Sequence, residues 1–164
     1  MIRKSKGTGK FTNSEFAKIG ENVVIEDGVR IFHPENVFIG DNVYIGHDTI
    51  LDGHYNGNIT IGDETWIGPQ CFMHGAGTIK IGRNVGVGPG VQMLTSTHEL
   101  TKDGRPIIDH PLIFKQITIE NGCDIGMGTI ILPGITIGKQ SVVGAGSVVT
   151  YDVQEQGMFV NGRR

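Results

Sequence analysis

The chain has few aromatic residues, only two cysteines and no long apolar run. Aromatics make up 7% of its 164 residues, an unusual share beside 26 glycines. No segment approaches the roughly 20 consecutive apolar residues that cross a bilayer, which excludes a transmembrane helix. A surplus of positive charge is missing too. With a formal net charge of -3, no global basic surface invites nucleic acid or anionic lipid. Arg3, Lys4, Lys6 and Lys10 stand near the start without an apolar run behind them, so a secretory signal is not expected. The expectation is a soluble cytoplasmic protein with a frayed, solvated basic start, contact with a membrane or an acidic partner being the alternative. The glycines follow neither a collagen period nor a polar low-complexity tract. A single domain with a repeat fold and many tight corners is what this composition allows.

The repeat is explicit. Aliphatic residues followed by a turn or polar residue recur every six positions, as in Ile39-Gly40, Ile45-Gly46 and Leu51-Asp52, then Ile61-Gly62, Ile67-Gly68 and Met73-His74. The series continues through Ile81, Val87 and Met93 and resumes at Ile119, Ile125, Ile131, Ile137 and Val143. Six steps of about 100° put successive repeats about 240° apart on a helix, so no helical face holds them. A second small or apolar residue stands four places after each first one, among them Val43, Thr49, Thr65, Cys71, Cys123 and Thr129. Even spacing places both on one side of a strand. Between them fall Gly, Asn, Asp and Pro, residues suited to turns and to φ > 0. Each hexapeptide is therefore a short strand and a corner.

Extra residues fall after every third hexapeptide, so three sides close one coil and the coils stack as a triangular prism. About six coils from Ile19 to Val153, spaced at about 4.8 Å, span ~29 Å. The boundaries expected are an N-terminal segment 1–18, the prism 19–153 with an inserted loop 99–116, and a tail 154–164.

The repeated pattern, with ILPGITIG at 131–138 and VVGAGSVVT at 142–150, resembles the left-handed β-helix of the hexapeptide-repeat acyltransferases. That resemblance supplies the hand, since parallel crossovers are otherwise almost always right-handed. The fold class expected is all-β, a left-handed parallel β-helix with one long inserted loop.

The loop carries the chemistry. Eighteen residues, Glu99 to Gln116, break the repeat immediately after LTSTH, Leu94 to His98; non-periodic loops of this length inside a compact domain tend to be functional. LTSTH is similar to the segment in which sugar O-acetyltransferases of this family hold their catalytic histidine. The resemblance implies that His98 is the general base on an acceptor hydroxyl attacking the thioester of acetyl-CoA. An imidazole, with a reference pKa of about 6.5, suits that task. It also implies that Gly126 and Gly128 lie along the pantetheine arm and that Gly144, Ala145 and Gly146 contact CoA through backbone groups, ordinary corner glycines being the other reading of the first two. Tyr151 stands where the family usually has a CoA-contacting lysine, so Lys139, Arg163 or Arg164 is the candidate substitute. His74 and Gln70 are candidate acceptor contacts, and Lys102, Asp103, Arg105 and Asp109 give the loop groups suited to a sugar or its nucleotide. His33, His47, His54 and His110 are expected at the surface or in corners.

Cys71 and Cys123 occupy the small inward position, on different coils and faces, so packing is expected of them rather than catalysis, metal binding or a disulfide. The resemblance further implies a homotrimer with acetyl-CoA and acceptor bound between neighbouring prisms, and places the chain nearer the shorter enzymes of surface-polysaccharide pathways. N-acetylation of a nucleotide-linked amino sugar and a non-catalytic scaffold are the competing functions. A zinc site of the γ-carbonic anhydrase kind is disfavoured because Asp52 stands where the partner of His47 would be, and zinc needs three or four ligands in fixed geometry.

Overall fold

The computed structural model describes Ser5 and residues 7–160. Arg3, Lys4, Lys6, Arg163 and Arg164, on which expectations were placed above, lie outside the described residues. Three parallel sheets form the faces of a prism, each built from strands of two or three residues. The first face has six strands, from Lys18–Ile19 to Thr136–Ile137, the second seven, from Val24–Ile25 to Met158–Phe159, and the third six, from Arg30–Phe32 to Val148–Val149. The fold is the left-handed parallel β-helix that the hexapeptide period implies. Val153 bridges Ile137 and Met158–Phe159 pairs with Val142–Val143, so coiling runs past the expected end at residue 153 and makes part of a seventh coil.

Register follows the aliphatic residues. Ile39, Ile61, Ile81, Ile119 and Ile137 align down the first face. Ile45, Ile67, Val87, Ile125 and Val143 align down the second, and Leu51, Met73, Met93, Ile131 and Val149 down the third. All of these side chains are buried. The pairing is parallel and the repeat length constant, so each column stacks like on like, and large side chains from three faces fill the axis.

The second inward position holds small or β-branched residues, some purely apolar, such as Val43, Val85 and Val91, and some with a polar task beside the packing. Thr49 Oγ1 donates to the Gly68 carbonyl at 3.0 Å and Thr65 Oγ1 to Gly82 at 2.9 Å. The two cysteines do the same as weaker donors, Cys71 to Gly88 at 3.3 Å and Cys123 to Gly138 at 3.1 Å. Each reaches a corner carbonyl of the next coil that the ladder leaves for a side chain. Burial pushes both thiols up from their ordinary value, which keeps them protonated and unreactive.

Each corner places a residue in the left-handed region, and several are not glycine: Asn42, Glu64, Asn84 and Gln140 have φ of 55°, 58°, 55° and 57°. Insertions collect on the single edge where the third face passes to the first. That edge carries short 3₁₀ turns at Pro34–Asn36 and Gly75–Gly77, and then the long insertion after Leu94.

Leu51→Ala, at a fully buried site of the third-face column, is expected to cost about 2–5 kcal/mol, since the prism cannot collapse into the cavity. Thermal or urea unfolding checks it, and an unchanged midpoint would mean the column is not close-packed.

Candidate active site

The long insertion is anchored before it leaves the prism. Thr95 is fully buried, its Oγ1 donating to the His74 carbonyl at 2.6 Å and accepting from Gly77 N at 2.7 Å. The chain then departs as a strand, Ser96–His98, and returns as an antiparallel strand, Leu112–Phe114, with His98 opposite Leu112. The arms of the expected loop are thus a hairpin. Its base is closed where Lys115 N donates to the Thr95 carbonyl at 2.9 Å.

His98 ends the outgoing strand, half-buried, with Nδ1 3.1 Å from the His110 carbonyl oxygen. A carbonyl only accepts, so Nδ1 carries the hydrogen, and the neutral ring keeps its lone pair on Nε2. This is the tautomer a general base needs, held by the main chain. Neighbouring Glu99 serves through its backbone, its N–H donating to the Pro111 carbonyl at 2.9 Å.

Within the loop Asp103 gathers donors. Arg105 donates to it through Nε at 2.9 Å and Nη2 at 2.6 Å, and Thr101 Oγ1 donates at 3.0 Å. The guanidinium, with the Arg105 backbone N–H, holds the Asp103 carboxyl down to about 2. Arg105 thus pairs with Asp103 while its side chain stays 55% exposed. Lys102 is exposed. His110, expected at the surface, is 4% exposed and packs inside the loop.

The remaining candidates divide among the three edges of the prism. His74 shares the edge of the hairpin. It ends the strand Phe72–His74 in register with Leu94 and Asp52, and its ring meets His54 edge-on at 5.2 Å. His54, expected at the surface or in a corner, stands at a corner with φ of 56° and is buried between His74, Tyr55 and Phe114 of the returning strand. The hairpin thus folds back over the lower coils. Gln70, Gly126, Gly128, Gly144, Ala145 and Gly146 lie on another edge, where the second face passes to the third. A Cβ at Gly126 would run into the Ala145 backbone, so coil stacking alone demands glycine there. Gly128 and Gly146 face open space with φ of 66° and 67°. Lys139 is on the remaining edge, beside Arg83 and Asn121 in a surface hollow of about 420 Å³. Tyr151 packs its ring on Phe159 at 5.0 Å. Within one chain, then, His98 and the glycine edge are not brought together.

The family model for the hexapeptide repeat of succinyl-transferase matches residues 116–151. Galactoside O-acetyltransferase of Escherichia coli is 36% identical over 142 residues, covering 84% of this chain and 56% of that protein. The chain belongs to the hexapeptide-repeat acyltransferase family. A hexapeptide-repeat acetyltransferase of Vibrio cholerae, solved with acetyl coenzyme A, superposes with a TM-score of 0.65 at 28% identity, covering 89% of this chain and 67% of that one. The N-acyltransferase AntD of Bacillus cereus gives a TM-score of 0.78 at 23% identity, covering 90% and 80%, and shows the shared fold. The chain spans a little over half the length, 56%, of the galactoside enzymes it matches. Among the described residues no helix is long and apolar enough to cross a membrane.

The Asp103 carboxyl sits below its ordinary value of 3.8, at about 2. Its clasp is therefore complete above the ordinary carboxylate range and is lost only as pH falls toward the lowered value. Amide exchange in residues 99–110 is expected to stay slow between pH 4 and pH 3. Loss of protection with a midpoint near 4 would show that the Arg105 pairing does not form.

Proposed function

We propose that the protein transfers an acetyl group from acetyl-CoA to a hydroxyl of a sugar or sugar-like acceptor, with His98 as the general base. The observation that carries this reading is the Nδ1 contact of His98 with the His110 carbonyl at 3.1 Å, which leaves Nε2 as the proton acceptor. The acceptor oxygen attacks the thioester carbonyl carbon as its proton passes to Nε2. The tetrahedral intermediate then expels the CoA thiolate, which takes that proton back. No acyl-enzyme is required, in keeping with two buried, high-pKa thiols. The galactoside enzymes and the acetyl-CoA-bound relative support the donor and the reaction class.

The site is completed by a second copy of the chain in this reading. His98 and the open glycines Gly128 and Gly146 stand on different edges, so a cleft holding both arises when the hairpin edge of one prism meets the glycine edge of its neighbour. The hairpin carries the surface for that contact. Leu112, Ile113 and Phe114 are consecutive and all exposed, and Leu100 and Ile108 are 82% and 64% exposed. Three such contacts close a homotrimer, with the CoA arm against Gly126, Gly128, Gly144, Ala145 and Gly146 and with His74, Lys102 and Gln70 as acceptor contacts. Lys139 stands apart from that edge and has the weakest claim to CoA. A cytoplasmic setting, where acetyl-CoA is available, completes the proposal.

Free-thiol release from acetyl-CoA across a panel of sugars, amino sugars and nucleotide sugars tests it. With a verified acceptor, His98→Ala is expected to lower kcat by about 10² to 10⁴. An unchanged rate would sink the assignment. Preference for an amine acceptor, with weak dependence on His98, would favour N-acetylation instead.

A further inference from the structure

The His110 side chain is wholly buried in the loop, yet it is no part of a hydrophobic cluster and the reaction above does not use it. Its Nδ1 donates to the Glu99 carbonyl at 2.8 Å, and its Nε2 faces Asp103 Oδ1 at 3.1 Å. The ring thus has a hydrogen-bonding oxygen at each nitrogen, one of them on the Asp103 carboxylate. Thr101 Oγ1 lies 3.3 Å from either nitrogen and ties the same carboxylate. The ring is therefore fixed on both sides.

The backbone of the same residue is what holds His98. The His110 carbonyl takes the Nδ1 hydrogen of His98, while the His110 ring takes the carbonyl of Glu99, the residue after His98. Between these two bonds Glu99 N donates to the Pro111 carbonyl at 2.9 Å. Each histidine thus reaches across the base of the loop to a main-chain carbonyl on the other strand. Adjacent His98–Glu99 and His110–Pro111 segments are joined by three hydrogen bonds that form or break together.

We infer that His110 is the positioning residue for His98: its imidazole, clamped between the Glu99 carbonyl and the Asp103 carboxylate, fixes the His110 carbonyl that sets the tautomer and direction of the His98 ring. Removing the imidazole takes away the side-chain hold on that carbonyl and leaves only the backbone bonds from His110 N to Ile107 O and from Glu99 N to Pro111 O. His98 then samples both neutral tautomers, and the one with hydrogen on Nε2 cannot accept a proton there. Glu99, Thr101 and Asp103 belong to the clamp, which assigns three loop residues to alignment of the base and leaves exposed Lys102 and Asp109 to face an acceptor.

The inference rests on the reading of His98 as the base, and its test separates the two. In ¹⁵N-histidine-labelled protein at neutral pH, long-range proton–nitrogen spectra are expected to show His98 unprotonated at Nε2. His110→Ala is expected to convert His98 to a mixture of tautomers, and His110→Asn, which keeps a donor near the Nδ1 position, to restore part of the signal. With a verified acceptor, His110→Ala should lower kcat by about 10²-fold, as misplacement of a catalytic group does, with KM for acetyl-CoA nearly unchanged. In a His98→Ala background the same substitution should add nothing further. A folded His110→Ala protein with an unchanged His98 tautomer, or an equal further loss in the His98→Ala background, would overturn the inference. Should His110→Ala fail to fold, Asp103→Asn loosens one side of the clamp and is read by the same spectra. The tautomer signal needs no acceptor, so failure of the acetyl-transfer reading leaves it interpretable.

Discussion

Each coil is bound to the next at its corner by one backbone hydrogen bond, from the N–H of a residue in the left-handed conformation to a carbonyl of the coil below. Asn42 N to Glu21 O, Glu64 N to Asp41 O and Asn84 N to Asp63 O, at 2.8 to 2.9 Å, form this ladder on one edge. A bond of this kind fixes the length of each side, because one added residue would move the corner out of reach of its partner. It also explains why Glu64 and Gln140 tolerate a conformation that costs of order 1–3 kcal/mol outside glycine: the strained residue gains the coil-to-coil bond. Constant side length then forces the aliphatic columns into register and leaves room at the second inward position for compact residues such as Val43, Thr49 and Cys71.

This constraint is also why the fold was legible. A period of six is a direct readout of a side of fixed length, and Ile67, Val87 and Ile125 stand where the count places them. Cys71 and Cys123 were readable as packing residues for the same reason. The end expected at Val153 was not legible: Phe159 stands six residues after it and joins the second face, and Gln156 N donates to Lys139 O at 2.8 Å as the other corners do. The hairpin was not legible either. Leu112, Ile113 and Phe114 show no alternation, and all three stay exposed although Phe114 also meets the His54 ring.

The site was half visible. The candidate His98 stands out at the point where the repeat breaks, because a loop carried by a rigid scaffold begins where the scaffold ends. His110 and His54 could not be placed, because what buries them is non-local: Glu99 and Asp103 for one, His74 and Phe114 for the other. Arg105 shows the same limit: its ion pair with Asp103, two positions away, depends on loop geometry that the sequence alone does not give. Local sequence announces which groups are present but not which have already been used.

The crossed bonds between His98, Glu99, His110 and Pro111 close the neck of the insertion into a ring of side chains and main chain together. The short turn Ile107–Asp109 is tied to that ring, because His110 N donates to the Ile107 carbonyl at 3.0 Å. A change of size or charge in the turn is therefore carried to the His110 peptide, and from its carbonyl to the His98 imidazole. The insertion moves as one mechanical unit, in which variation at the tip reaches the neck.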